Sequence, residues 1–312
     1  LSVGVPIVSC VVTTSLSPKL TGVFRGSQAR RAGLVTPAQL RGPAFRRLFQ
    51  DVYVRADVPV THELRCRGAA LIVPEEAVLT GRSAATVKGV ELAKPYDPVE
   101  FVVPEKHRFG PIMGIHVRRT EVMRRESRPW RGIRIAKPAR IALDLVLRLS
   151  PRKRGWVRRL RTGVPDLDAF LRSGLVRKKV LIGMFHRHRN RGIRLARHAL
   201  QLTDPRAESL PESELRVVGV LGGFNLSPQH TVRRNGKFVG RLDLALEEAQ
   251  VAVEYDGRWH NTPDQVVRDI ERRKRIAAEG WVFVIVDAER LANDYAGILA
   301  EIGEAQAAQL AR

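Results

Sequence analysis

Asp243 and Glu254 are the residues whose types and spacing point most directly to chemistry. In the run 241–246, Leu242, Leu244 and Leu246 alternate with Arg241, Asp243 and Ala245, so a strand would turn Asp243 away from a leucine face. In 251–256, Val251, Val253 and Tyr255 share one face, and Glu254 and Asp256 share the other. A turn centred between Glu248 and Ala249 sets Asp243 directly opposite Glu254, with Cβ atoms about 4.5–5.5 Å apart. Two like charges so placed repel unless a cation lies between them. Carboxylate oxygens with open positions suit Mg2+ or Mn2+, and no Cys or His cluster accompanies them to favour zinc. The plainer alternative is a salt bridge, because the same register sets Arg241 opposite Asp256. That pair would leave Asp243 against Glu254 unexplained.

The elements that must hold these acids read as α-β-β-β-α-β. Ser209 followed by Glu212 is a capping-box spacing that opens a helix to about Leu221, ended by Gly222 and Gly223. A strand over 229–234 meets Asn235-Gly236, the strongest short hairpin signal, and a second strand covers 237–246. A third strand covers 251–256. Thr262-Pro263 starts a helix to Glu279, Gly280 caps it, and 281–286 is a buried strand.

Upstream, 27–32 reads as a short helix ended by Gly33, and Thr36 N-caps a second over 37–41 with Pro37 at its first position. Residues 43–50 read as a third helix with Phe45 and Leu48 inward, followed by a strand at Val52-Tyr53-Val54. Three short helices and a strand give a winged-helix outline. Arg46 and Arg47 then face outward, either to touch phosphate or as plain surface. Residues 63–88 read as helical, 99–103 and 115–119 as strands, 132–135 as a strand, 138–149 as a helix, and 152–198 as basic helices. Charge and pattern both change near Asp204-Pro205, the preferred boundary.

Composition narrows the partner. Fifty-four Lys and Arg against 32 Asp and Glu give +22 in 312 residues. Between Arg118 and His198 there are 25 Lys and Arg and five acids, whereas from Asp204 onward 18 acids face 14 bases. Arginine's planar donors suit phosphate, so a polyanion is the expected partner and the binding charge sits apart from the candidate catalytic acids. No basic amphipathic helix or run of about 20 apolar residues points to a membrane. Cys10 and Cys66 form no framework, which fits a reducing cytoplasm. Residues 1–20 are read as a disordered leader or an overextended start.

Two resemblances sharpen these expectations. Gly33-Leu34-Val35-Thr36, Phe45-Arg46-Arg47-Leu48-Phe49, Val52-Tyr53-Val54, Gly81-Arg82-Ser83-Ala84-Ala85 and Pro138-Ala139-Arg140 resemble AbiEi-type antitoxins over about 130 residues. Those proteins pair a winged helix with a small mixed domain, which implies DNA binding. Asp51 stands where the relatives usually have a glycine in the wing turn. Over about 95 residues, 208–302, the helix with Glu212, the Asp243 strand, and Val253-Glu254-Tyr255-Asp256-Gly257 with His260 after it resemble the PD-(D/E)XK fold. The likeness is to its small branch related to very-short-patch-repair endonucleases.

By that resemblance Asp243 and Glu254 are metal carboxylates, and Glu212 is the helix acid that completes the site, unless it serves the helix cap alone. The family's usual Lys is Asp256 here, which would instead hold a second metal. His260 would act as general base, stabilise developing charge or be structural. Arg272 or Lys274 would supply the missing cation and contact DNA, or lie on plain surface. The expected chain is thus a multidomain α/β (α+β) protein. Its parts are a leader over 1–20, a winged helix over 21–60, a mixed α/β region over 61–150, basic helices over 151–203 and a restriction-endonuclease-like αβββαβ core over 204–312. The expected activity is Mg2+- or Mn2+-dependent cleavage of DNA, duplex rather than RNA. The alternative is an antitoxin-like transcriptional regulator, with a toxin or other protein partner, whose nuclease-like domain is non-catalytic.

Overall fold

The structure, a computed structural model, describes residues 20–148, 155–189, 191–257 and 263–312. It is a mixed α/β architecture built on three sheets. The expected leader lies outside the described residues except for Leu20.

The first sheet holds β1 (Phe24–Arg25), β3 (Val52–Arg55) and β2 (Phe45–Phe49) in that order, with α1 (Gly26–Arg31) and α2 (Pro37–Arg41) between β1 and β2. Thr36 caps α2 in the expected reciprocal box with Gln39. The helix expected over 43–50 is instead β2. Phe45 and Phe49 fit one face of a helix as readily as the buried positions of a bulged strand, so periodicity alone leaves the choice open. Pairing with β3 decides it, and Phe24 seals Phe45 edge-on at 5.4 Å. Leu48, expected inward, is only half-buried. Asp51 occupies the hairpin turn at φ 60, and its carboxylate accepts hydrogen bonds from the Ser27 N–H at 2.7 Å and the Ser27 hydroxyl at 2.6 Å. Those bonds offset the backbone conformation that a glycine would adopt freely.

The second sheet has the order β6 (Ile115–Arg119), β5 (Val99–Val103), β4 (Val78–Leu79), β8 (Ile133–Ala136), β7 (Ser127–Trp130). The helical stretch expected over 63–88 is divided into α3 (His62–Ala70), β4 and α4 (Gly81–Val87). Gly81 sets the entry to α4: it takes φ +58, and a Cβ there would meet the Glu100 carboxylate at 1.8 Å. Strand β7 was not expected.

Helices α5 (Pro138–Leu147), α6 (Trp156–Arg172), α7 (Lys178–Arg187) and α8 (Ile193–Leu202) share one continuous apolar core with this sheet. Several arginines reach into it, Arg140 fully buried and Arg82, Arg118 and Arg148 half-buried. Asp144 is held by Arg118, by Arg140 at 2.9 Å and by the Thr80 hydroxyl at 2.6 Å, and Asp166 by Arg82 at 2.7 Å and Arg148 at 2.9 Å.

After the expected boundary, α9 (Leu210–Leu221) packs on α6, and Arg216 donates to Asp168 at 3.0 Å across the junction. The third sheet has the order β12 (Val282–Asp287), β11 (Val251–Asp256), β10 (Lys237–Leu246), β9 (Ser227–Arg234). Helix α10 (Pro263–Ala277) connects the parallel pair β11 and β12, and α11 (Ala288–Asn293) and α12 (Tyr295–Leu310) follow. Leu244, Leu246, Val251 and Val253 pack with Leu215 of α9 and Ile298 and Ile302 of α12. Leu242 does not join them, contrary to the expected single leucine face; it packs with Ala245, Ala252 and Ile276 of α10. The alternation therefore slips at Asp243. Across from it Gln229 interrupts β9 with φ 57, which accounts for the slip.

Candidate functional site

Strands β10 and β11 pair as Leu246↔Val251, Ala245↔Ala252 and Leu244↔Val253, the register expected from the turn. One further step would join Asp243 to Glu254, but the ladder stops there and the strands part. The Asp243 carboxylate accepts the Tyr255 backbone N–H at this opening. Gly240 lets α10 come close to β10, since a Cβ would meet Ile276 at 2.6 Å, and this approach brings Arg272 over the opening.

Glu254 is 1% exposed and fully engaged. Arg272 grips both its oxygens, Nη1 to Oε1 at 2.7 Å and Nη2 to Oε2 at 3.0 Å, and Arg273 Nε donates to Oε2 at 2.8 Å. Paired guanidiniums of this kind are strong, directional partners for a buried carboxylate. Arg272 Nη1 also donates to the Arg241 carbonyl at 2.9 Å.

Asp243 stands in the opposite condition. Burial pushes its carboxyl up to about 7, the charges of Glu212 and Glu254 push the same way, and Arg272 and the Tyr255 N–H only partly oppose them. Glu212 comes to this cluster from the first turn of α9. Its N–H donates to Ser209 Oγ at 3.2 Å, so half of the capping box forms. Its own carboxylate reaches past Ser209: Oε2 accepts from the Glu208 N–H at 2.9 Å and from Gln229 Nε2 at 3.1 Å. The Ser209–Glu212 spacing is thus a cap on one side, while the charge of the carboxylate acts on Asp243.

The remaining expected residues are distributed as follows. Arg241 pairs with Glu208 at 2.9 Å. Asp256 ends β11, half-buried and next to Asp287 in the parallel ladder. Lys274 is exposed, as are Arg46 and Arg47 on β2. His260 lies outside the described residues. Arg273 and Gln229 were missed by sequence reasoning. Counting back from the Asn235-Gly236 turn sets Asp243 against Pro228, and a bulge between Phe238 and Gly240 moves the partner by one, to Gln229. No sequence signal marks that bulge.

Among the described residues no three His, Cys, Asp or Glu side chains gather closely enough to hold a metal by themselves. The donor chemistry nevertheless fits a hard dication at Asp243 and Glu212, since carboxylate oxygens are its ordinary ligands and the charge of Glu212 acts on Asp243. Glu254 would join only by exchanging an arginine.

A second charged surface lies on α7 and α8. Residues 169–203 contain nine Lys and Arg, three His and no acid. Arg177, Lys179, Arg187, Arg189, Arg191 and Arg194 are all exposed. Among the described residues no helix is long and apolar enough to cross a membrane.

No protein-family model and no solved structure matches the chain. It is similar to two uncharacterized proteins of Mycobacterium tuberculosis, from strains H37Rv and CDC 1551, each 35% identical over 129 residues. The match covers 40% of this chain and 48% of each relative, so the chain spans about half the length of the curated relatives it matches.

Proposed function

We propose that the chain is a metal-dependent DNA endonuclease of the PD-(D/E)XK type with an N-terminal winged-helix module. The observation that carries this reading is Asp243, half-buried beside Glu212 and Glu254 where the β10–β11 ladder ends, its carboxyl raised by desolvation first and then by the charges of those two acids. Groups tuned this way mark functional sites more often than structural ones. The αβββαβ order and the four-stranded sheet with one parallel crossover support the nuclease part. The order β1-α1-α2-β2-β3, ending in a hairpin with Arg46 and Arg47 exposed, supports the DNA-binding part.

On this reading Asp243 and Glu212 hold Mg2+ or Mn2+, which when bound supplies an acidified water and neutralises charge on the scissile phosphate. Asp243 orients through the Tyr255 N–H. Glu254 fixes Arg272 and Arg273 beside the reacting phosphate, where they take over the charge role of the Lys that Asp256 replaces. The basic face of α7 and α8 and the β2 arginines hold the duplex backbone, so affinity falls steeply with salt. The test is plasmid cleavage with Mg2+ or Mn2+. Asp243→Ala is expected to reduce the rate by about 10²–10³-fold or more, and cleavage at the parent rate overturns the reading.

A second reading, an antitoxin-like transcriptional regulator that does not cut, is favoured by the saturation of Glu254 with arginines. It predicts tight binding to a promoter or to a toxin partner, with no cleavage of DNA or RNA under any divalent cation.

A further inference from the structure

We infer that the side-chain oxygen of Gln229 is a donor to the divalent cation, completing with Asp243 and Glu212 an oxygen set that the carboxylates alone do not make. The inference rests on the nuclease reading and names a residue that the carboxylate pattern does not contain.

Four observations converge on Gln229. The β9–β10 register, Leu242↔His230 and Leu244↔Pro228, brackets Asp243 and Gln229 as neighbours across the strands. Gln229 adopts φ 57, a conformation uncommon for a residue with a side chain and costing on the order of 1 kcal/mol. Strain of this kind in the middle of a strand is retained where it aims a side chain. The amide points to the acids: Nε2 donates to Glu212 Oε2 at 3.1 Å. That bond also fixes which end of the amide is which, because the reversed amide would set its oxygen against the carboxylate. Finally, Gln229 Oε1 is buried with no hydrogen-bond partner. An orphaned buried acceptor costs about 1–3 kcal/mol, so it implies an occupant.

The occupant that the surroundings select is a hard cation. An amide oxygen is an ordinary ligand for one, and the acids beside this residue are Asp243, across the strands, and Glu212, which has one oxygen uncommitted. Glu254 is withdrawn from the set by Arg272 and Arg273, which leaves room for a neutral donor in its stead. Gln229 would thereby link ion binding to the first turn of α9, since the same amide holds Glu212.

The test is Mn2+ binding to the full chain without DNA, read from the electron paramagnetic resonance of the free ion. Gln229→Leu is expected to weaken binding about tenfold, and Gln229→Glu, which retains an oxygen at that place and adds charge, is expected to bind at least as tightly as the parent. Gln229→Gly relieves the positive φ while removing the oxygen; it should match Gln229→Leu and carries the test should the leucine variant misfold. Parent-like binding by both Gln229→Leu and Gln229→Gly overturns the inference. So does weakening by Gln229→Glu equal to that of Gln229→Leu, the result expected if the amide only props Glu212 through its N–H. If Asp243→Asn loses Mn2+ while the leucine and glycine variants keep it, the nuclease reading stands and Gln229 alone is misassigned. If Asp243→Asn binds like the parent, the reading falls and takes Gln229 with it.

Discussion

Asp144, fully buried, and Asp243, half-buried, are the same residue type and both next to arginine, yet they are held in opposite ways. Burial would raise Asp144, and the guanidiniums of Arg118 and Arg140 overcome that and keep its carboxyl below the usual range. Burial raises Asp243 to about 7, and its nearest charged neighbours include two more acids. The lesson is that burial alone does not mark a working carboxylate. What distinguishes the two is the balance of charge around them: two guanidiniums act on Asp144, whereas one acts on Asp243 against two acids. An arginine neighbour alone does not decide it, since burial raises Asp168 to about 6 even beside Arg216. In the C-terminal sheet two guanidiniums close on Glu254, and only Arg272 opposes the charges around Asp243.

The largest effect should come from breaking the satisfied side. Asp144→Asn removes the buried anion that Arg118, Arg140 and the Thr80 hydroxyl share and should cost about 3–5 kcal/mol, seen as a lower urea midpoint. Glu254→Gln sharpens the comparison inside the site. By its partners it belongs with Asp144, so it should destabilise by about 1–3 kcal/mol, less than Asp144→Asn because Arg272 and Arg273 retain access to water.

Asp243→Asn should move the other way, stabilising the metal-free protein at pH 8 by about 1–2 kcal/mol. The sign follows from linkage. A carboxyl near 7 in the folded chain and near 4 in the unfolded one leaves the folded state with more protons between those values. Its contribution is therefore complete below about pH 4 and lost as pH rises through about 7. Urea titrations in chelator at pH 5 and pH 8 should lose less stability across that window for Asp243→Asn than for the parent. A parallel fall in both would put Asp243 with Asp144.

The smallest effect concerns the far end of the chain. Arg47→Ala on β2 should weaken duplex binding by roughly 1 kcal/mol or less and reduce the salt slope by about one. An unchanged slope would make Arg47 ordinary surface.

Much of the C-terminal sheet was legible in the sequence, because its signals are local. The alternation over 251–256 gives β11 with the bounds the structure has, and Asn235-Gly236 closes the first hairpin with both residues at positive φ. Counting across one turn gives the β10–β11 register from Leu246↔Val251 to Leu244↔Val253, although the ladder stops one step short of Asp243 and Glu254. What did not follow depends on contacts far apart in sequence. Phe45 and Phe49 suit a helix or a strand equally, and only β3 chooses. Arg272 is one of two sequence candidates for the site's cation, but nothing marks Arg273, and the close approach of the helix at Gly240 accompanies the grip of both on Glu254. Gln229 carries no charge and was shifted into register by a bulge. Periodicity reports which side chains are buried; it does not report which charges meet there.

The central claim is that Asp243, set among acids that Arg272 only partly offsets, is placed to receive a dication. Calorimetric titration of Mn2+ into the full chain at pH 8, parent beside Asp243→Asn, tests this most directly. The account predicts saturable binding by the parent that disappears in the variant. No uptake by the parent, or equal uptake by both, would contradict it.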